Sequence, residues 1–370
     1  MIVICQELRK TIEKFVHDTI PFILDLQKKR NIFSDIFFLF ITFIAGTGIY
    51  AVVLPTTILF YPHPDFAIAC IAITFTSCYN ILVGNFIKNL FGLPRPFGEG
   101  LWSPVKEKDF GFPSTHTINA IANTGFVVFA LTDDTWLRVI YLVYAVCVAF
   151  SRMYMGVHSP ADVLCGVTIG ITHLIIMVNL YQYIIYIHSL WYLLPLFFFL
   201  HLYVLIAMPK CKEYNVTPRR TAMICGCIFA ISIVLSFNLQ RWSRNILPLN
   251  EYVKYQYNRF SSFIIEYLVA ISICAGLFGT FGFLLPNIVE RYIEKNKRYM
   301  NFLTKCEQLF CKIRFHCLKD DINEYRCDKT MLRYIAEMPF AYFSGFIGGL
   351  CVIYIAPKVV FWMNPNIILN

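Results

Sequence analysis

Charge is what this sequence has least of. Asp, Glu, Lys and Arg make up 15% of its 370 residues, where a soluble domain carries roughly a quarter. Set beside 58% hydrophobic residues, that scarcity excludes an ordinary soluble fold. Internal repeats, low-complexity linkers and CxxC pairs are also missing. Without CxxC pairs, the 14 cysteines do not follow the spacing of common zinc sites. Most lie in apolar runs, where Cys acts as a small hydrophobe. Cys306, Cys311, Cys317 and Cys327, near His316, are expected as free thiols and not as a metal site. No separate basic domain stands out, so the net charge of +9 is assigned to loops facing anionic lipid, and no nucleic-acid partner is expected. Residues 1–31 show no cleavable leader pattern.

What is abundant is long apolar runs. They fall at 36–60, 66–87, 116–132, 137–151, 163–180, 190–208, 221–238, 263–285 and 339–357, and about 20 residues suffice to cross hydrocarbon as a helix. Continuous runs without alternation say helices and not a barrel. The expected fold is therefore all-α, a polytopic membrane bundle of about nine spans. Residues 1–35 read as an amphipathic interfacial segment, 36–208 as the membrane core carrying the motifs, and 209–370 as further spans interrupted by the polar stretch 286–338.

Two polar segments interrupt the core. The first, 88–115, is rich in Gly and Pro and reads as a loop; the second is the gap around 151–162. Two spans separate them, out and back, so both face one side. In the first, Lys88 ends a span and Arg95 sits between Pro94 and Pro96, which stiffen the chain around a guanidinium suited to phosphate oxygens. Ser114 is expected to cap the next helix, leaving His116 in its first turn beside an anion-binding helix start. His116 is placed to give a proton to a leaving group. In the second segment Arg152 ends a span, and "HSPAD" sets His158 before a Ser159 cap, with Asp162 four residues on and within reach of the imidazole. A carboxylate on one ring nitrogen leaves the other nucleophilic. Three cations, a helix start and two histidines on one face suit hydrolysis of a phosphomonoester through a phosphohistidine.

The order K-x6-R-P, P-S-x-H, S-R-x5-H-x3-D over residues 88–162 resembles the three-part signature of the type-2 phosphatidic acid phosphatase superfamily, which includes the soluble vanadium haloperoxidases. The resemblance implies that His158 is the nucleophile, Asp162 its orienting group and His116 the general acid. It implies that Lys88, Arg95, Ser114 and Arg152 bind phosphate. Thr115, where many members have Gly, and the spans beyond residue 180 make the chain most similar to sphingosine-1-phosphate and other long-chain-base phosphate phosphatases. The implied protein is a multi-pass enzyme of the endoplasmic reticulum acting on a lipid phosphate among membrane lipids. Phosphatidate or polyprenyl (di)phosphate hydrolysis is the alternative activity; a non-catalytic lipid-binding or transport protein is the alternative class. The Cys327-x5-Arg333 spacing resembles a cysteine phosphatase only in that spacing.

No cofactor is expected. Glu99, Glu107 and Asp109 in the loop, and Asp162 already beside His158, are not a cluster suited to a magnesium pair, so a metal-independent hydrolase is expected. Sidedness divides the arguments. Most Lys and Arg fall in segments on the catalytic face, which places that face in the cytosol. The resemblance implies a lumenal one. The sequon at Asn215 lies too near the membrane to decide.

Overall fold

Inside hydrocarbon every backbone N–H and C=O has to be satisfied within its own segment, and a helix does this at any length. The computed structural model describes residues 2–46, 64–96, 100–104, 109–211, 214–242, 272, 296–310, 313–314, 317–318 and 329–350, and every regular element among them is helical. In chain order these are α1 (Ile2–Asp18), α2 (Ile20–Gln27), α3 (Ile32–Ile44), α4 (Pro64–Phe91), α5 (Thr115–Ala130) and α6 (Thr135–Tyr154). They continue as α7 (Pro160–Ser189), α8 (Leu194–Ala207), α9 (Thr217–Trp242), α10 (Lys297–Phe310) and α11 (Lys329–Leu350).

Among the described residues 4 helical stretches are long and apolar enough to cross a bilayer: Ile68–Phe91, Thr135–Tyr154, Pro160–Ser189 and Thr217–Phe237. The all-α class expected from sequence holds; the nine expected spans do not all appear. The run 36–60 is described only to residue 46, and 263–285 lies outside the described residues apart from Ser272. The run 163–180 proves too short, because α7 continues to Ser189. His188 permits the extension: Tyr79 Oη lies 2.8 Å from its Nε2 and Ser232 Oγ 2.7 Å from its Nδ1, so a buried imidazole is satisfied on both sides.

At the centre stands α5, with Ile118, Ala120, Ala122 and Phe126 fully buried. It packs on α4, α6 and α7, and Phe75, Phe126, Met177 and Ile231 join α4, α5, α7 and α9 in one core cluster. Apolar side chains point outward on α6 and α7, among them Trp136, Ile140, Val146, Leu164 and Ile175. On helices of this length such a surface suits lipid tails. A polar chain runs inside the bundle: Asn80 Nδ2 donates to Asn123 Oδ1 (3.1 Å), and Asn123 Nδ2 donates to Ser77 Oγ (2.8 Å).

One end of the bundle brings several of the described polar residues together. Arg9 of α1 donates from Nε to Phe91 O at the end of α4 (2.8 Å). Gln27, closing α2, donates to Trp102 O and Tyr154 O and accepts from Trp102 N. Residues 1–35 are thus knitted to the loop that follows α4. From the other direction Leu318 N donates to Leu90 O (2.7 Å), and Cys317 packs with Phe110 and Cys211.

Candidate active site

The site forms where the loop after α4 meets the turn between α6 and α7. Lys88 sits in the last turn of α4 and Arg152 in the last turn of α6. After Arg152 the chain folds back on itself, with Val157 N and His158 N both donating to Arg152 O (3.2 and 3.3 Å). Two helix starts are then tied together, Ser114 N donating to Asp162 O at 3.0 Å. Two glycines make room for this. A Cβ on Gly166 would meet Ser114 O at 2.8 Å, so α7 approaches the start of α5 only because that position is bare. A Cβ on Gly111 would stand 3.1 Å from Asp162 Oδ2 and 3.4 Å from Arg95 Cα.

His158 is fully buried, with Nδ1 3.3 Å from Asp162 Oδ2 and Nε2 3.1 Å from Arg95 Nη1. Those contacts fix the tautomer. A guanidinium has donors and no acceptor, so Nε2 must accept, and the ring proton sits on Nδ1 and is donated to Asp162. Asp162 Oδ2 also accepts from Ser159 N (2.8 Å), while Ser159 Oγ accepts from Asp162 N (3.3 Å). The expected capping box is therefore formed, and the same oxygen orients the imidazole. Burial, then the charges of Arg95, Arg152 and Lys88, and then His116, hold the His158 imidazole well below its ordinary pKa. Its Nε2 lone pair is available at neutral pH.

The cations surround this ring. Arg95 donates from Nη1 to Val157 O (3.0 Å), so the same nitrogen that faces His158 is anchored on the turn behind it. Its other side holds Asp109, with Nη2 to Oδ1 at 2.6 Å. Lys88 Nζ donates to Asp109 Oδ2 (2.9 Å) and Phe110 O (2.7 Å). Lys88, Arg152, Ser114 and Asp162 are all buried, and His116 is half-buried at the start of α5. Ser114 holds the N-cap position of α5, as expected, but makes no cap: its Oγ accepts from Thr117 Oγ1 (2.9 Å) instead. The hydroxyl of Thr117 reaches it before a backbone N–H does.

Asp109 is the residue that sequence reading passed over. There it counted only as one of too few metal ligands; here it accepts from Lys88 and Arg95, and Arg220 of α9 approaches it at 3.5 Å. Burial alone would raise its carboxyl pKa, but Lys88 and Arg95 outweigh that and hold it well below the usual carboxylate range. Only the charge within the loop hinted at this. Glu99, Glu107, Cys311, His316 and Cys327 lie outside the described residues, while Cys306 is a free thiol. Among the described residues no three His, Cys, Asp or Glu side chains converge as metal ligands. Elsewhere, a cavity of about 510 Å³ bounded by Leu202, Phe229, Met338 and Tyr342 is apolar apart from Lys210.

Residues 36–186 match the PAP2 superfamily. Similar proteins include a probable sphingosine-1-phosphate phosphatase from Dictyostelium discoideum, 29% identical over 42% of this chain and 41% of that protein. A dihydrosphingosine 1-phosphate phosphatase from Saccharomyces cerevisiae is 28% identical over 44% of this chain and 43% of its own length. An undecaprenyl-diphosphatase from Sulfolobus acidocaldarius is 36% identical over 24% of this chain and 44% of that protein. The chain thus spans about two-fifths of the length of the curated relatives it matches. No solved structure matches it. The motif segments at 88–95, 113–116 and 151–162 all fall within the stretch that matches the PAP2 superfamily.

Proposed function

We propose that the matched stretch makes the chain a membrane lipid phosphatase, cleaving the phosphomonoester of a long-chain-base phosphate such as sphingosine-1-phosphate through a phosphohistidine. The observation that carries this reading is the placement of His158 Nε2, an unprotonated nitrogen, 3.1 Å from a guanidinium that can also hold phosphate oxygens. Lys88, Arg95, Arg152 and Ser114 bind the phosphoryl oxygens. The His158 Nε2 lone pair forms a bond to phosphorus as the ester P–O bond breaks, and His116 gives its proton to the departing alkoxide. Asp162 stabilises the imidazolium through Nδ1–H. Water then attacks the phosphohistidine, His116 takes its proton, and inorganic phosphate leaves as His158 is restored.

The cations supply the charge stabilisation that a metal would otherwise provide, so the reaction proceeds without one. Two of the relatives named above carry the names probable sphingosine-1-phosphate phosphatase and dihydrosphingosine 1-phosphate phosphatase, which supports that substrate class. The undecaprenyl-diphosphatase relative supports the phosphoryl chemistry and a different tail. Interfacial placement favours a lipid, whose tail binding positions the headgroup. The deciding experiment is a turnover panel with the full chain in detergent, with and without chelator. Long-chain-base phosphates should outrun phosphatidate and polyprenyl diphosphate at equal surface concentration. Faster hydrolysis of either competitor refutes the substrate class, and loss of turnover on chelation refutes metal independence.

A further inference from the structure

We infer that Asp109 is a specificity-determining residue that pairs with an ammonium group carried by the substrate next to its phosphate. The inference rests on the phosphatase reading above and adds what that mechanism leaves unused. Asp109 is 5% exposed and has no part in the phosphoryl transfer, yet it engages two of the cations that do. Arg95 joins the two halves of the site: Nη1 faces His158 Nε2 at 3.1 Å, and Nη2 holds Asp109 Oδ1 at 2.6 Å. A phosphoryl group set for attack by Nε2 and held by Arg95 therefore stands within one guanidinium's width of the Asp109 carboxylate. Lys88, on the other carboxylate oxygen at 2.9 Å, brings the two anions together from its own side.

A carboxylate and a phosphate dianion that close repel strongly where water is scarce. A site built only for phosphate would gain by replacing Asp109 with a neutral side chain. Arg220 offsets part of the repulsion, but it lies 3.5 Å away with 55% of its side chain exposed, so solvent weakens it. The remaining compensation can come with the substrate. In a long-chain-base phosphate the amine stands on the carbon next to the one bearing the phosphate ester, so its ammonium reaches a carboxylate lying beside the phosphoryl group. Phosphatidate, lysophosphatidate and polyprenyl phosphates carry no cation there. The pair Asp109 and substrate ammonium would give discrimination by charge, because a ligand without the cation leaves the repulsion between its phosphate and the Asp109 carboxylate less compensated.

The test compares kcat/KM for a long-chain-base phosphate, its N-acetylated counterpart and lysophosphatidate of matched chain length, in wild-type protein and in Asp109→Asn. The wild type should prefer the free amine by about tenfold or more over the N-acetyl compound, the scale expected for a charged hydrogen bond. In Asp109→Asn that ratio should collapse to within about threefold, whatever happens to the absolute rates. Asp109→Glu, which keeps the charge, should retain a preference for the amine and serves if the Asn variant does not fold. An unchanged ratio with equal losses on all three substrates would show that Asp109 only clamps Lys88 and Arg95, and would overturn the inference. Equal gains would mark it as a competitor of phosphate and overturn it too. Absence of wild-type turnover on all three would instead overturn the phosphatase reading itself.

Discussion

In the proposed reaction His158 acts as a nucleophile only while its Nε2 lone pair is unprotonated. Burial first, then Arg95, Arg152 and Lys88, push its pKa well below 6.5, so the base form holds through neutral and mildly acidic pH. The acid limb of kcat/KM should therefore lie below the ordinary histidine range, and loss of activity as pH falls should begin only there. Arg95→Gln removes a positive charge and so raises the histidine pKa. Its acid limb should move to higher pH, a change of shape separable from the drop in rate. A profile that keeps its wild-type acid limb would show that Arg95 does not set this titration. His158→Ala should abolish turnover and the acid-labile phosphoenzyme, because the nitrogen proposed to bond to phosphorus is gone. Asp162→Asn should cost about 10³–10⁴-fold in kcat, since the amide no longer favours the Nδ1–H tautomer. Near-normal turnover in either variant would sink the mechanism. The meeting of His158 with Asp162 was legible in sequence because that motif is local. Asp109 was not legible, because its partners lie 14 and 21 positions away and the contact depends on how a Gly- and Pro-rich loop closes.

The helices set tolerances that single residues cannot. Where α7 crosses the start of α5, a methyl group on Gly166 would press on Ser114 O and on Thr117 Cβ at 3.1 Å. Gly166→Ala should therefore push α7 off α5, costing about 1–3 kcal/mol of stability as overpacking does. Since Asp162 lies one turn away on the same helix, kcat should fall about tenfold to a hundredfold as the imidazole shifts. A variant with wild-type kcat and melting temperature would show that the approach is looser than it looks. A second test concerns Lys210, between α8 and α9, which is 3% exposed and donates to Leu205 O at 3.3 Å. Burial, and then the charge of Arg314, push its amine down to about 7, with Glu307 opposing. The unfolded chain thus binds more protons than the folded one between about pH 7 and the ordinary lysine range near 10.5. Stability should rise with pH across that window and be lowest below it. Lys210→Met should raise the melting temperature at pH 7 by a few degrees and flatten the rise; a fall at pH 7 would contradict the sign. Sequence reading found most of these helices and misjudged their extents. Hydropathy ends α7 near residue 180, while partners that only the bundle supplies, Tyr79 and Ser232, carry it past His188.

At the scale of the molecule the open issue is which side of the membrane the chemistry faces. The parity of two spans put 88–115 and 151–162 on one face, and the contacts between Arg95, Val157 and His158 join those segments directly. The same face gathers more than the motifs. Arg9 reaches Phe91 O, Gln27 holds Trp102, and Arg220 approaches Asp109. Leu318 N bonds Leu90 O, and Cys317 packs with Phe110 and Cys211, so the segment following α10 also lies against the catalytic loop. This route assigns the segment to the catalytic side by direct contact, independently of the run 263–285, on which a count of spans depends. Arg314 of that segment, paired with Glu307 of α10, thereby joins Arg9, Lys28, Lys29 and Arg30 on one side. The positive-inside bias argues for the cytosolic side, against the lumenal site that family resemblance implies. Cys306 is the thiol that reports it, being half-buried on α10, whereas Cys317 is 2% exposed and shielded. In sealed endoplasmic reticulum vesicles with the cytosolic face outward, a membrane-impermeant maleimide should label Cys306 without permeabilisation, and Cys306→Ser should remove that signal. Labelling that appears only after permeabilisation would place the site in the lumen, and would mean that the basic residues of this face are held there by phosphate chemistry and helix packing, not by the rule that orients loops.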